Sequence, residues 1–135
     1  MNRADFQALA LMRLADAHNL FAAGRHAAAY YLGGYAVECA LKACISKQTQ
    51  QHDFPARGSD KHYVHDLNAL INRAVLSTAF DAELRNRDFS ANWNAVKEWS
   101  EESRYDSTIP AWKARALLDA IDGANGILPW VQRHW

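Results

Sequence analysis

Cysteine is scarce: the 135 residues contain two, Cys39 and Cys44. On a helix they stand five residues and about 140° apart around the axis, poorly placed to pair with each other. That argues against a disulfide scaffold and fits a reducing, cytoplasmic setting. There is no excess of charge of either sign, with 15 lysines and arginines against 15 aspartates and glutamates. A strongly basic coat for nucleic acid is therefore excluded, though a local basic patch is not. No apolar run approaches the ~18 residues of a spanning helix. The apolar stretch after Met1-Asn2-Arg3 is broken by Arg13, Asp16 and His18, so no signal peptide and no membrane partner are expected. No period of two is sustained, which predicts little or no sheet. P-loop, GxGxxG and GxSxG patterns are missing, as are internal repeats and low-complexity segments.

Half of the residues are hydrophobic and 11% are aromatic, which excludes disorder as the main state. The length suits one domain with a core of its own. Phe6, Leu9, Ala10, Ala17, Leu20 and Phe21 predict a first helix over 4–23, stopped by Gly24. A second helix is expected from about Arg25 to Lys47, apolar nearly all round and hence central. Gly33 and Gly34 lie inside it at a cost of about 1 kcal/mol each, offset by close approach of a neighbour. A long loop is expected over 48–64. A third helix over 66–76 would bury Leu67, Leu70, Ile71 and Val75. Residues 78–103 read as helix, broken near Asp88-Phe89-Ser90, with Trp93, Val96 and Trp99 facing inward. After a link over 104–109, Pro110 fits the first turn of a last helix carrying Trp112, Ala116, Leu117, Ala120 and Ile121, its end weakened by Gly123, Gly126 and Pro129. Residues 76–107 carry four basic and seven acidic residues and should present an acidic face.

Four groups could carry chemistry. Tyr31, Tyr35, Glu38 and Lys42 are spaced four, three and four and share one face of the second helix. They form either a solvated strip with a weak Glu38–Lys42 pair, worth about 0.3–0.5 kcal/mol, or the polar wall of a groove or dimer seam. His52, His62 and His65, with Asp53 and Asp66, could in principle hold zinc, but no cysteine pair or HExxH frame accompanies them. His65-Asp66 before Leu67 reads rather as a helix start, with Asp66 favoured near the positive end of the dipole. Arg104-Tyr105 at a helix end suits phosphate and base contacts; alternatively Tyr105 packs and Arg104 pairs with Glu101 or Glu102. Arg13 and His18, five apart, do not line up on a helix, so an acid/base pair there is read as chance. Cys39 and Cys44 have no activating neighbour and are expected in the core.

The run from Gly24 to Ala43, with small residues leading to Glu38 and then Leu41-Lys42, resembles the core signature of HEPN domains. His65-Asp66-Leu67 with Leu70 is similar to that family's "HDL…L" helix start, and Ser103-Arg104-Tyr105-Asp106 to its "RY" segment before the final helix. Order and spacing fit over about residues 5–131. The resemblance implies an all-α, antiparallel four- to five-helix bundle, often a homodimer, that binds nucleotides or RNA. It also implies a minimal nucleotidyltransferase as partner in a toxin–antitoxin or defence-type pair. Some branches are metal-independent ribonucleases with Arg-x4-6-His in a late helix. Here Arg85-Asn86-Arg87 is followed by no histidine within six residues, and Arg13…His18 lies on the wrong helix, so the nucleotide-binding branch fits better. Glu38, Lys42, His65, Arg104 and Tyr105 are the candidate nucleotide- or RNA-binding residues: Lys42 and Arg104 for phosphate, Tyr105 for a base, His65 as hydrogen-bond donor. No cofactor or metal is expected. The alternatives are a ribonuclease with a divergent site, using His26, His62, His65 or His134, and a non-catalytic dimeric scaffold or antitoxin partner.

Overall fold

The computed structural model describes residues 1–48 and 64–135, and the described residues form an all-α helical bundle. His52, Asp53 and His62, and the loop expected around them, lie outside the described residues. The first helix, α1 (Arg3–Ala22), starts at a capping box. The Asn2 side chain accepts from the Asp5 amide at 2.9 Å, and the Asp5 carboxylate accepts from the Asn2 amide at 2.8 Å. It ends as Gly24 turns to φ +81°. The Arg25 amide then reaches the Leu20 carbonyl at 2.8 Å and the Gly24 amide the Phe21 carbonyl at 3.0 Å, satisfying two carbonyls that the helix leaves open.

This tight turn folds α2 (His26–Gln48) back along α1. Its residues from Ala36 to Ser46 are all buried, because α1 and the later helices cover it from several sides. Cys39 and Cys44 are both free and buried here, and burial pushes both thiols up to about 12. Gly33 and Gly34 serve close approach, as expected. A Cβ on Gly33 would come within 2.8 Å of the Leu118 Cδ2, and one on Gly34 would fall inside the Trp99 indole.

Short helices complete the bundle. The Asp66 carboxylate caps α3 (Leu67–Arg73), accepting from the Ala69 amide at 2.8 Å. Val75, expected on its buried face, instead takes a left-handed φ of 61° and is 73% exposed; Leu76 goes inside. The helix expected over 78–103 divides into α4 (Ser77–Glu83), α5 (Arg87–Lys97) and a 3-10 helix (Glu101–Tyr105). The break falls before Asp88, because the Asn86 side chain caps α5 by accepting from the Asp88 and Phe89 amides at 3.0 and 3.3 Å. Trp93, Val96 and Trp99 are buried as expected. Phe80 meets Trp93 and Trp130 edge-on, with ring centres 4.8 and 5.7 Å apart.

Pro110 stands just before α6 (Ala111–Asp122) as its cap residue rather than inside its first turn. The face that packs inward carries Ala114, Leu117, Leu118, Ala120 and Ile121, whereas Trp112 and Ala116 face solvent. That rotation follows from Leu118 seating over Gly33. The weakened end becomes a separate helix, α7 (Ile127–Gln132), with Pro129 in its first turn, where no amide partner is lost. Among the described residues no helix is long and apolar enough to cross a membrane.

Candidate functional site

Two helix starts and one helix face converge beside the middle of α2. Glu38 sits on the middle of α2 and is 1% exposed. One turn later Lys42 points the same way, and its Nζ donates to the Glu38 Oε2 at 3.0 Å. From the start of α3, the His65 Nδ1 lies 3.1 Å from both Glu38 oxygens. The His65 Nε2 lies 3.1 Å from the Glu101 Oε2, at the start of the 3-10 helix. A single chain of charges, Lys42–Glu38–His65–Glu101, thus ties α2, α3 and the 3-10 helix together. A solvated strip is not what forms: the Lys42 side chain is 11% exposed and its ammonium serves Glu38. A buried carboxylate is costly alone, and here the Lys42 ammonium and the His65 imidazole compensate it.

Outside this chain of charges lies an open cleft of about 420 Å³. His65, Leu67, Lys97, Trp99, Glu101 and Glu102 line it. The Trp99 indole lies flat on Gly34, is 4% exposed, and its buried Nε1–H has no acceptor among the described residues. Glu101 is oriented by His65, and Glu102 has no ion pair or hydrogen bond among the described residues. With Asp66 also on the wall, carboxylates outnumber the lysine, so the cleft is acidic.

At the other end of the 3-10 helix the chemistry changes. Tyr31 and Tyr35 stack on the α2 face with ring centres 6.1 Å apart, and Tyr31 lies 6.2 Å from Trp99. Burial pushes the Tyr35 phenol up to about 12, with Cys39 adding to the shift. The Arg104 guanidinium sits over the Tyr105 ring, 4.8 Å from its centre. Interaction with Tyr105, and after it with Tyr31, pushes Arg104 above its ordinary range. Tyr105 is 72% exposed, so it does not pack in the interior. No ion pair joins Arg104 to Glu101 or Glu102 among the described residues; Glu101 is taken by His65.

The five residues expected to line a site therefore fall into two sets. Glu38 holds both Lys42 and His65, and Arg104 and Tyr105 form a separate pair at the far end of the short 3-10 helix whose first residue His65 contacts. Trp99, Lys97, Glu101 and Glu102 were not singled out as a site by sequence reasoning. The available signal was Gly34 beside a tryptophan that needs a flat support. Arg13 and His18 part into separate pairs, with Asp16 at 2.8 Å and with Asp122 at 2.7 Å, which fastens α1 to α6. Among the described residues no group of three His, Cys, Asp or Glu side chains is placed to hold a metal ion. In comparison with known proteins, no family model, no curated protein and no solved structure matches this chain.

Proposed function

We propose that this domain is a nucleotide- or RNA-binding module, with the surface formed by Tyr31, Tyr35, Arg104 and Tyr105 as its contact face. The observation that carries the reading is the exposed Tyr105 ring with the Arg104 guanidinium over it, beside the stacked Tyr31–Tyr35 pair. Exposed π-faces accept bases by stacking, and a neighbouring guanidinium supplies a phosphate contact. The buried Lys42–Glu38–His65 chain is a positioning element: it fixes Glu101 and hence the 3-10 helix that carries Arg104 and Tyr105. The resemblance to HEPN domains in the segments around Glu38, His65 and Arg104-Tyr105 supports the same reading. It extends it to a homodimer that works with a minimal nucleotidyltransferase in a toxin–antitoxin or defence-type pair.

The test is fluorescence anisotropy with a 5′-labelled single-stranded RNA of roughly ten nucleotides. Saturable, salt-sensitive binding is expected, weakened by about tenfold in Tyr105→Ala, since one base stack is worth about 1–3 kcal/mol. Binding unchanged in both Tyr105→Ala and Arg104→Ala would remove the assignment. Cleavage of the RNA in excess chelator would favour the ribonuclease alternative instead.

A further inference from the structure

Carboxylates hold the His65 ring from both sides. Its Nδ1 lies 3.1 Å from both Glu38 oxygens, and its Nε2 lies 3.1 Å from the Glu101 Oε2. Both contacts are favourable only when both ring nitrogens carry hydrogen, as in the protonated imidazole. A neutral ring has one N–H for two acceptors, and burial decides which of them keeps it. Glu38 is 1% exposed, so water cannot replace a donor lost there. The Glu101 side chain is 32% exposed and can be hydrated instead. The hydrogen therefore stays on Nδ1, and the Nε2 lone pair then faces a carboxylate oxygen. That contact is repulsive, and Glu101 turns outward to water.

What Glu101 releases is the 3-10 helix. None of the residues of this helix is buried, and its amides make short local bonds, Ser103 to the Ser100 carbonyl at 3.1 Å and Asp106 to the Ser103 carbonyl at 3.0 Å. Trp99 before it and Ile109 after it are the buried anchors. Between these anchors the His65–Glu101 contact ties the first turn to the start of α3. We propose that the proton on His65 is a switch that seats this segment. With the proton, the 3-10 helix is docked against α3, and Arg104 and Tyr105 are held in place. Without it, the segment from Ser100 to Thr108 loosens. The charged groups around the ring are Glu38 and Lys42 from α2, Asp66 at the start of α3, Lys97 at the end of α5, and Glu101 and Glu102 from the 3-10 helix. Carboxylates and ammonium groups ordinarily keep their charge between about pH 5 and 8, and an imidazole does not, so His65 is the member of this cluster that converts a pH change into a structural one. The inference concerns how the helix is seated and goes beyond the RNA-binding reading.

Nuclear magnetic resonance of the full chain from about pH 5 to 8 tests it. The ring nitrogen shifts report the charge and tautomer of His65. Amide exchange, corrected for its intrinsic pH dependence, reports the 3-10 helix. Protection of the Ser103 and Asp106 amides should fall by about two- to fivefold as the ring loses its proton, the range that a half-exposed ion pair supplies. The remaining ring hydrogen should sit on Nδ1. Glu101→Gln, at a half-exposed position whose change does not threaten the fold, should abolish the pH dependence: its amide accepts from the charged ring and donates to the neutral one, so the tie survives in both states. A ring that keeps one charge state throughout, a neutral ring with its hydrogen on Nε2, protection that does not follow the ring, or a pH dependence that persists in Glu101→Gln overturns the inference. RNA anisotropy at both ends of the pH range keeps the two readings apart. Seating that follows the ring, with no RNA bound at either pH, leaves the switch standing while the nucleic-acid reading falls.

Discussion

Replacing Gly34 by alanine puts one methyl group where the Trp99 indole lies. Two effects oppose each other. Alanine favours a helix interior over glycine by about 1 kcal/mol. Forcing an extra carbon into a packed core costs about 1–3 kcal/mol. The indole is a rigid ring, 4% exposed, so it cannot rotate one end aside and the cost falls at the upper end of that range. The net loss is therefore about 2 kcal/mol, or a fall in Tm of roughly 6 °C for a chain of this length. Gly33→Ala is the internal control. There the close atom is the end of the Leu118 side chain, at 2.8 Å, which can turn away, so the penalty and the propensity gain nearly cancel. Thermal unfolding followed by circular dichroism reads both. A Gly34→Ala protein as stable as the wild type, or less perturbed than Gly33→Ala, would refute the reasoning about Trp99.

Further expectations follow from other sites. Lys42→Met leaves the Glu38 carboxylate, 1% exposed, with His65 alone, and should cost about 3 kcal/mol in urea unfolding; adding Glu38→Gln should recover a large part, because it removes the stranded charge. Val75→Gly should stabilise the domain by about 0.5–1 kcal/mol, since a β-branched residue held at φ 61° is strained and glycine is not, less the entropy that glycine loses; an unchanged or lower urea midpoint counts against it. Burial first, then Arg133 and Lys47, lowers the His134 pKa from its ordinary 6.5. The unfolded chain therefore takes up a proton there more readily than the folded one, so this contribution to stability is present above about 6.5 and is lost as pH falls through the lowered value. His134→Gln should flatten that part of the Tm profile between pH 7 and 5, and an identical profile would contradict it.

The parts of the fold that local chemistry specifies were legible in the sequence. Gly24 ends α1, Asp66 caps α3, and the all-round apolar character of α2 marks it as central, each a consequence of residues close together in the chain. The parts that failed depend on distant partners. Whether Glu38 and Lys42 form a solvated pair or a groove wall stays open in the sequence because His65, which contacts Glu38, and Glu101, which contacts His65, come from elsewhere in the chain. Nothing near Trp112 in the sequence marks it as exposed, since the rotation of α6 is set by Leu118 against Gly33. The break after α4 comes earlier than Asp88-Phe89-Ser90 because the Asn86 side chain caps α5. Of the candidate site, the residue types were visible as motifs. Their division into a buried chain of charges and an exposed Arg104–Tyr105 face was not, because burial is decided by tertiary packing.

The most direct measurement of the central claim is a titration of isotope-labelled protein with short single-stranded RNA, followed by amide chemical shifts. Binding through the proposed face would move the amides of Tyr31, Tyr35 and Trp99 to Asp106 together and saturably, leaving the exposed positions of α1, such as Leu11 and Met12, in place. Shifts confined to α1, or none at RNA concentrations where anisotropy reports binding, would contradict the assignment of the Arg104–Tyr105 surface.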